Sequence, residues 1–128
     1  MLTITAIYTG LSALLLVALS ALVIRERART HVSLGDGGDK RLEKSIRAQG
    51  NFVEYAPLAL IVLALAEMQG APALALHGLG ATLVIGRLLH GWGLTRERES
   101  NPARGLGAAM TFAVLMVGGV GLVVHAIL

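Results

Sequence analysis

The sequence predicts an all-α integral membrane protein, a bundle of four spanning helices, on three observations. Of its 128 residues 55% are hydrophobic and 15% charged, with a mean hydropathy of +0.70. A soluble domain of this size needs a more polar surface than such a composition can supply, so the outside must face lipid. Four apolar stretches are long enough to cross a bilayer or to extend into helices that do. All eleven Lys and Arg lie between Arg25 and Arg47 or between Arg87 and Arg104, leaving both termini and the middle of the chain without a cation.

The first helix is expected over about residues 2–24. Leu2 to Ile24 carries no charge, and at about 1.5 Å per residue it crosses a hydrocarbon core of roughly 30 Å with some tilt. The arginines follow this run instead of preceding it, which argues against a cleaved signal peptide. Residues 25–46 carry turn-forming Gly35, Asp36, Gly37, Gly38 and Asp39, and read as a hydrophilic loop running into a second helix over about 41–69. That helix begins before the membrane does, and only Gly50 and Pro57 oppose it. Gly70, Ala71 and Pro72 allow only a tight antiparallel return into a third helix, about 72–92. Past the charged residues 96–99, Ser100 or Asn101 can cap a fourth helix, about 102–127, that opens on Pro102. Gly118, Gly119 and Gly121 are small enough there for close helix packing.

Basic loops orient a membrane protein toward the cytoplasm. Loops 25–46 and 93–101 are therefore expected on the cytoplasmic side and both termini on the other. The charge of +3 reflects this topology and not a nucleic-acid partner, for which there is no basic surface domain. Nine arginines against two lysines, with abundant alanine and glycine, point to a GC-rich bacterial genome and so to an inner membrane. No cysteine is present, which removes disulfides, thiolate metal sites and a cysteine nucleophile. No histidine–carboxylate spacing matches a metal motif, and no phosphate-binding glycine loop or GxSxG occurs.

Ionisable residues inside spanning segments are costly and mark candidate sites. Arg47, Asn51 and Glu54 are spaced i, i+4, i+7 and share one face of the second helix. A guanidinium, an amide and a carboxylate in a row suit a zwitterionic ligand; equally, they can form an internal network that holds the bundle together. On the third helix Arg87 and His90 share a face. A lone histidine near a helix end is more often a hydrogen-bonding residue than a proton shuttle. Arg104 falls in the first turn of the fourth helix, where unpaired amides and the helix dipole already favour an anion; otherwise it snorkels to lipid phosphates. His77 and His125 lie near the opposite helix ends, where interfacial packing accounts for them, and His31 lies in the loop.

The stretch Arg47-Ala48-Gln49-Gly50-Asn51-Phe52-Val53-Glu54-Tyr55-Ala56-Pro57 resembles the second-helix signature of the MAPEG family, the membrane-associated proteins in eicosanoid and glutathione metabolism. Arg87-Leu88-Leu89-His90 and Pro102-Ala103-Arg104 resemble motifs of its third and fourth helices. The resemblance implies a homotrimer of four-helix subunits, with glutathione as co-substrate bound between neighbouring subunits near the cytoplasmic face. It implies that Arg27, Arg47, Asn51, Glu54, Tyr55, Arg87 and His90 bind glutathione, with Glu54 on its amino group. Arg104 would be the catalytic residue, stabilising the thiolate that attacks a lipophilic electrophile. Two positions depart from the pattern: Leu94 stands where several members carry a tyrosine, and Gly105 where one carries a serine. The implied activity is a membrane-bound glutathione transferase or peroxidase. The alternative is a non-catalytic lipid-binding or scaffold protein of the same family, and a proton-coupled transporter using Glu54 is a third reading.

Overall fold

In the computed structural model of the chain, which describes residues 1–96 and 101–128, four helices account for nearly every described residue and no strand occurs among them. They are α1 (Thr3–Thr30), α2 (Lys40–Met68), α3 (Ala73–Thr95) and α4 (Pro102–Ile127). All four are long and apolar enough to cross a membrane, as the apolar runs predicted. The expected cap at Ser100 lies outside the described residues. Asn101 takes that role, its side chain accepting the amide of Ala103 at 3.0 Å, with Pro102 as the first helical residue.

Two expectations need correction. The hydrophilic loop is not residues 25–46; it is the short stretch 31–39, because α1 continues six residues past Ile24 and α2 starts at Lys40. The apolar run ended at Ile24, but arginine and glutamate are good helix formers, and Arg29 Nε reaches Glu26 at 2.6 Å one turn back. Helix α1 stops only at His31, which adopts the left-handed conformation (φ 56°). Likewise α3 runs on through Thr95, whose hydroxyl donates to Gly91 O at 2.9 Å, instead of ending at Trp92. Neither Gly50 nor Pro57 interrupts α2.

Helices α2 and α3 form a hairpin at the centre. Each touches every other helix, whereas α1 and α4 lie on opposite flanks and do not meet. The core follows α2: Ala48, Phe52 and Ala56 pack on Leu19 of α1, Leu63 packs with Tyr8 of α1 and Leu76 of α3, and Ala59 packs with Leu83 and Val114. Large apolar side chains such as Leu14, Val17, Ile61, Met116 and Val120 point outward, as lipid-facing residues must.

The end of the bundle without cations is laced shut. Glu67, near the end of α2, accepts the backbone amides of Ile4 (2.9 Å) and Thr5 (2.7 Å), filling the role of a cap that Leu2 cannot supply. Tyr8 Oη donates to His77 O at 3.1 Å and lies 3.0 Å from His77 Nδ1. Its ring occupies the space left by Gly80. His77 is thus held in helix packing, as expected, while the role of Glu67 went unread.

Candidate functional site

The opposite, basic end is assembled from the α1–α2 junction inward. Asp39 caps α2, accepting the amides of Arg41 (3.0 Å) and Leu42 (2.9 Å), and it also receives Arg29 Nη2 at 2.7 Å. The Arg29 guanidinium, with the helix amides, holds the Asp39 carboxyl below its ordinary range. Arg27 turns into the loop and donates to Val32 O (3.1 Å) and Gly35 O (3.0 Å). Gln49 Nε2 reaches Ser20 at 2.7 Å, so the back of α2 is pinned to α1. With that face fixed, Lys40, Lys44, Arg47 and Asn51 share a stripe on the other, about two turns longer toward the N-terminus than the sequence pattern suggested.

That stripe lines a cavity of about 460 Å³ together with Glu43, with His90 and Leu94 of α3, and with Arg104 of α4. Four of the eight predicted site residues, Arg47, Asn51, His90 and Arg104, therefore meet in one place. A larger cavity, of about 910 Å³, opens at the same end of the bundle but contains none of them. Chemistry decides between the two, and the smaller one is the candidate site.

Three glycines bring α3 and α4 close enough for this. A methyl group on Gly93 would lie 2.6 Å from Arg104 N, one on Gly107 would overlap Gly86 O and the amide of His90, and one on Gly86 would meet Gly107 O at 3.0 Å. Backbone thus packs on backbone where Arg104 enters the site. His90 Nδ1 lies 3.1 Å from Arg104 O. A carbonyl can only accept, so Nδ1 carries a proton in this contact. The expected close packing at Gly118 is present, against Val62, whereas Gly119 and Gly121 face open space.

The other four predicted residues stand apart from this cavity. Arg87 is 2% exposed and donates from Nη1 to Asn51 Oδ1 at 2.9 Å and to Asn51 O at 3.3 Å, while its Nε and Nη2 have no partner. It supports Asn51 from behind. Tyr55 packs edge-on against Phe112 of α4, ring centroids 5.4 Å apart. Glu54 faces outward from α2 with its side chain 52% exposed, 3.8 Å from Arg47. Arg27 is held by the loop. Lys40, Lys44 and Glu43 are site residues that sequence reasoning passed over. Their spacing of 40, 44, 47, 51 repeats the i, i+4, i+7 signal across the start of the second helix, where the expected loop (25–46) and helix (41–69) overlapped.

The cavity can do two things. Four cations against Glu43, which is itself paired with Lys40 at 3.0 Å, attract an anion and stabilise charge that develops near Arg104. Asn51 adds directional donors and an acceptor. No group of histidines, cysteines and carboxylates able to hold a metal occurs among the described residues.

The chain is similar in sequence to known proteins. The model of the MAPEG family matches residues 5–124. The inner membrane protein YecN of Escherichia coli strain K12 is 39% identical over 114 residues, covering 89% of this chain and 87% of YecN. YecN of Escherichia coli O6:H1 matches to the same extent.

Proposed function

The chain belongs to the MAPEG family, and from that premise we propose that it is a glutathione transferase of the bacterial inner membrane that joins glutathione to a lipophilic electrophile. The observation that carries the reading is the meeting of Arg47, Asn51, His90 and Arg104 in one cationic cavity. Glutathione is a flexible peptide with two carboxylates, one ammonium group and a thiol. Its carboxylates suit Lys44 and Arg47, and its amide groups suit Asn51. Arg104, in the first turn of α4, adds its charge to that of the helix N-terminus. Together they favour the thiolate of a thiol whose ordinary pKa is about 8.5.

The thiolate sulfur supplies the electron pair of the new carbon–sulfur bond. The bond to the leaving group breaks with its pair, and the leaving group takes a proton from water. An electrophile dissolved in the bilayer reaches the cavity from the apolar side, past Leu94. Glu54 supports a site completed by a second copy of the chain. A carboxylate on an outward face within the apolar part of α2 is costly unless a neighbour covers it, and the homotrimer of the family would provide that cover. On this reading Arg27, which donates to Val32 O and Gly35 O within its own subunit, would serve the neighbouring site. The basic end is cytoplasmic on this reading, as the positive-inside pattern requires.

The test is the ultraviolet absorbance of the thiolate on adding glutathione to detergent-purified protein at pH 7, for wild type and Arg104→Ala. A thiolate signal in wild type that disappears in the variant is the expected result. If glutathione neither binds nor ionises, the enzyme reading is wrong and the α2 stripe is a structural network or a site for another ligand.

A further inference from the structure

His90 lines the proposed glutathione site, yet its imidazole is turned toward the backbone of α4. We infer that His90 is a positioning residue that holds Arg104 in place for thiolate formation, an inference that rests on the glutathione reading above. Arg104 sits in the first turn of α4, where the opening amides lack helical partners and fraying begins. Its backbone is gripped from both sides: Arg104 N donates to Asn101 O at 3.1 Å, and Arg104 O lies 3.1 Å from His90 Nδ1. The Asn101 side chain caps the same turn through Ala103 N at 3.0 Å. Of these ties, the one from His90 comes from another helix, α3.

Burial and packing make this contact a rigid one. His90 is 7% exposed, so water has little access to the bond. Its own backbone is fixed, since a methyl group on Gly107 would lie 2.5 Å from His90 N and 2.9 Å from His90 Cβ. Gly93, one turn further along α3, brings that helix against Arg104: a methyl group there would lie 2.6 Å from Arg104 N and 3.1 Å from its Cα. Helix α3 therefore meets the Arg104 backbone at neighbouring points, by packing at Gly93 and by a hydrogen bond at His90. Packing alone can slide, whereas the hydrogen bond fixes the register of the turn. The guanidinium is then aimed by the backbone that carries it. Aim matters because a fixed charge stabilises an anion only from the right distance, and a displacement of about 1 Å can cost on the order of a hundredfold in rate.

The two ring nitrogens separate this role from direct contact with glutathione. An asparagine amide nitrogen can take the place of Nδ1, and a glutamine amide nitrogen that of Nε2. Thiolate absorbance of bound glutathione is titrated against pH on the full chain in detergent, for wild type, His90→Asn, His90→Gln and Arg104→Ala. Conjugation is followed with chlorodinitrobenzene as the electrophile. His90→Asn should titrate close to wild type. His90→Gln should move the midpoint upward, toward that of free glutathione, and lower the conjugation rate about tenfold or more. Its affinity for S-methylglutathione, which has no thiol to ionise, should change less than about twofold, a readout that also shows the variant is folded. Added to Arg104→Ala, His90→Gln should bring no further loss of rate. The reverse pattern, with glutamine tolerated and asparagine impaired, overturns the inference in favour of a direct contact from Nε2. Equal behaviour of the two variants, a further loss in the double variant, or loss of S-methylglutathione binding by His90→Gln overturns it as well. Each of these leaves the glutathione reading standing where wild type forms the thiolate; a wild type that forms none overturns both.

Discussion

The two ends of the bundle treat their polar groups in opposite ways. At the end without cations, Glu67 is consumed by the amides of Ile4 and Thr5, and Tyr8 by His77; these ionisable groups are answered within the chain, though the buried Thr5 hydroxyl is not. At the basic end, Arg87 keeps two buried nitrogens unpartnered, Arg47 and Arg104 remain exposed around a cavity, and Glu54 is exposed outside it. Both ends contain ionisable residues at membrane depth, so their presence alone does not mark a site. What separates structure from function is whether the partners are already supplied.

The sharpest way to break this contrast is a pair of substitutions. Arg104→Ala should lower the rate of glutathione conjugation about a hundredfold or more, the scale of losing one donor to a developing anion. It should leave thermal stability in detergent unchanged, because the side chain is exposed. Glu67→Ala should do the reverse, lowering thermal stability by removing two charge-assisted hydrogen bonds, with glutathione affinity intact. A stability loss in the first, or a binding loss in the second, would erase the distinction between the ends.

Gly107→Ala tests the geometry between these extremes. The new methyl group meets backbone, Gly86 O and the His90 amide, which cannot rotate away. It should cost about 2 kcal/mol and weaken glutathione binding by displacing Arg104. Gly118→Ala meets only the Val62 side chain and should cost less, with binding unaffected.

Arg87→Met probes the unanswered charge itself. Burying a guanidinium with unpaired donors is expensive, and an apolar residue of similar length removes that cost. Stability without ligand should hold or rise by about 1 kcal/mol, while glutathione affinity, measured by calorimetry, should fall as Asn51 loses its support. The smallest effect concerns the α1–α2 junction. Because the Asp39 carboxyl sits below its ordinary range, its stabilising contribution is full above that range and is lost as pH falls through the lowered value. Asp39→Asn should therefore flatten the acid limb of the stability curve by lowering stability at neutral pH toward the value the wild type reaches in acid.

How much of this was legible depends on the length scale of each signal. Spanning helices announce themselves by apolar runs, and the starts of α2 and α4 fall within a residue of expectation. The end of α1 did not, because loss of hydrophobicity was read as loss of helix; the two coincide only where turn formers follow at once, and here they begin several residues later. The α2 stripe and Arg104 were found from spacing and from the resemblance. Gly86, Gly93 and Gly107 were missed because their meaning lies in another helix. Packing of backbone on backbone has no periodicity within a single segment, whereas the Gly118 contact belonged to a cluster visible on α4 alone. Arg27 shows the converse: a matched motif position whose side chain, in its own subunit, holds a loop.

The extension of α1 past Ile24 has a kinetic corollary. Six more helical residues raise a collar of about 9 Å above the hydrocarbon, at the same end of the bundle as the candidate site. If the chain is the transferase proposed above, its two reactants come from different phases. For the bilayer-borne one, the concentration that matters is its mole fraction in lipid. Its apparent affinity should therefore scale with the amount of membrane in the assay, like that of a phase-transfer catalyst, while the water-borne partner saturates as in free solution.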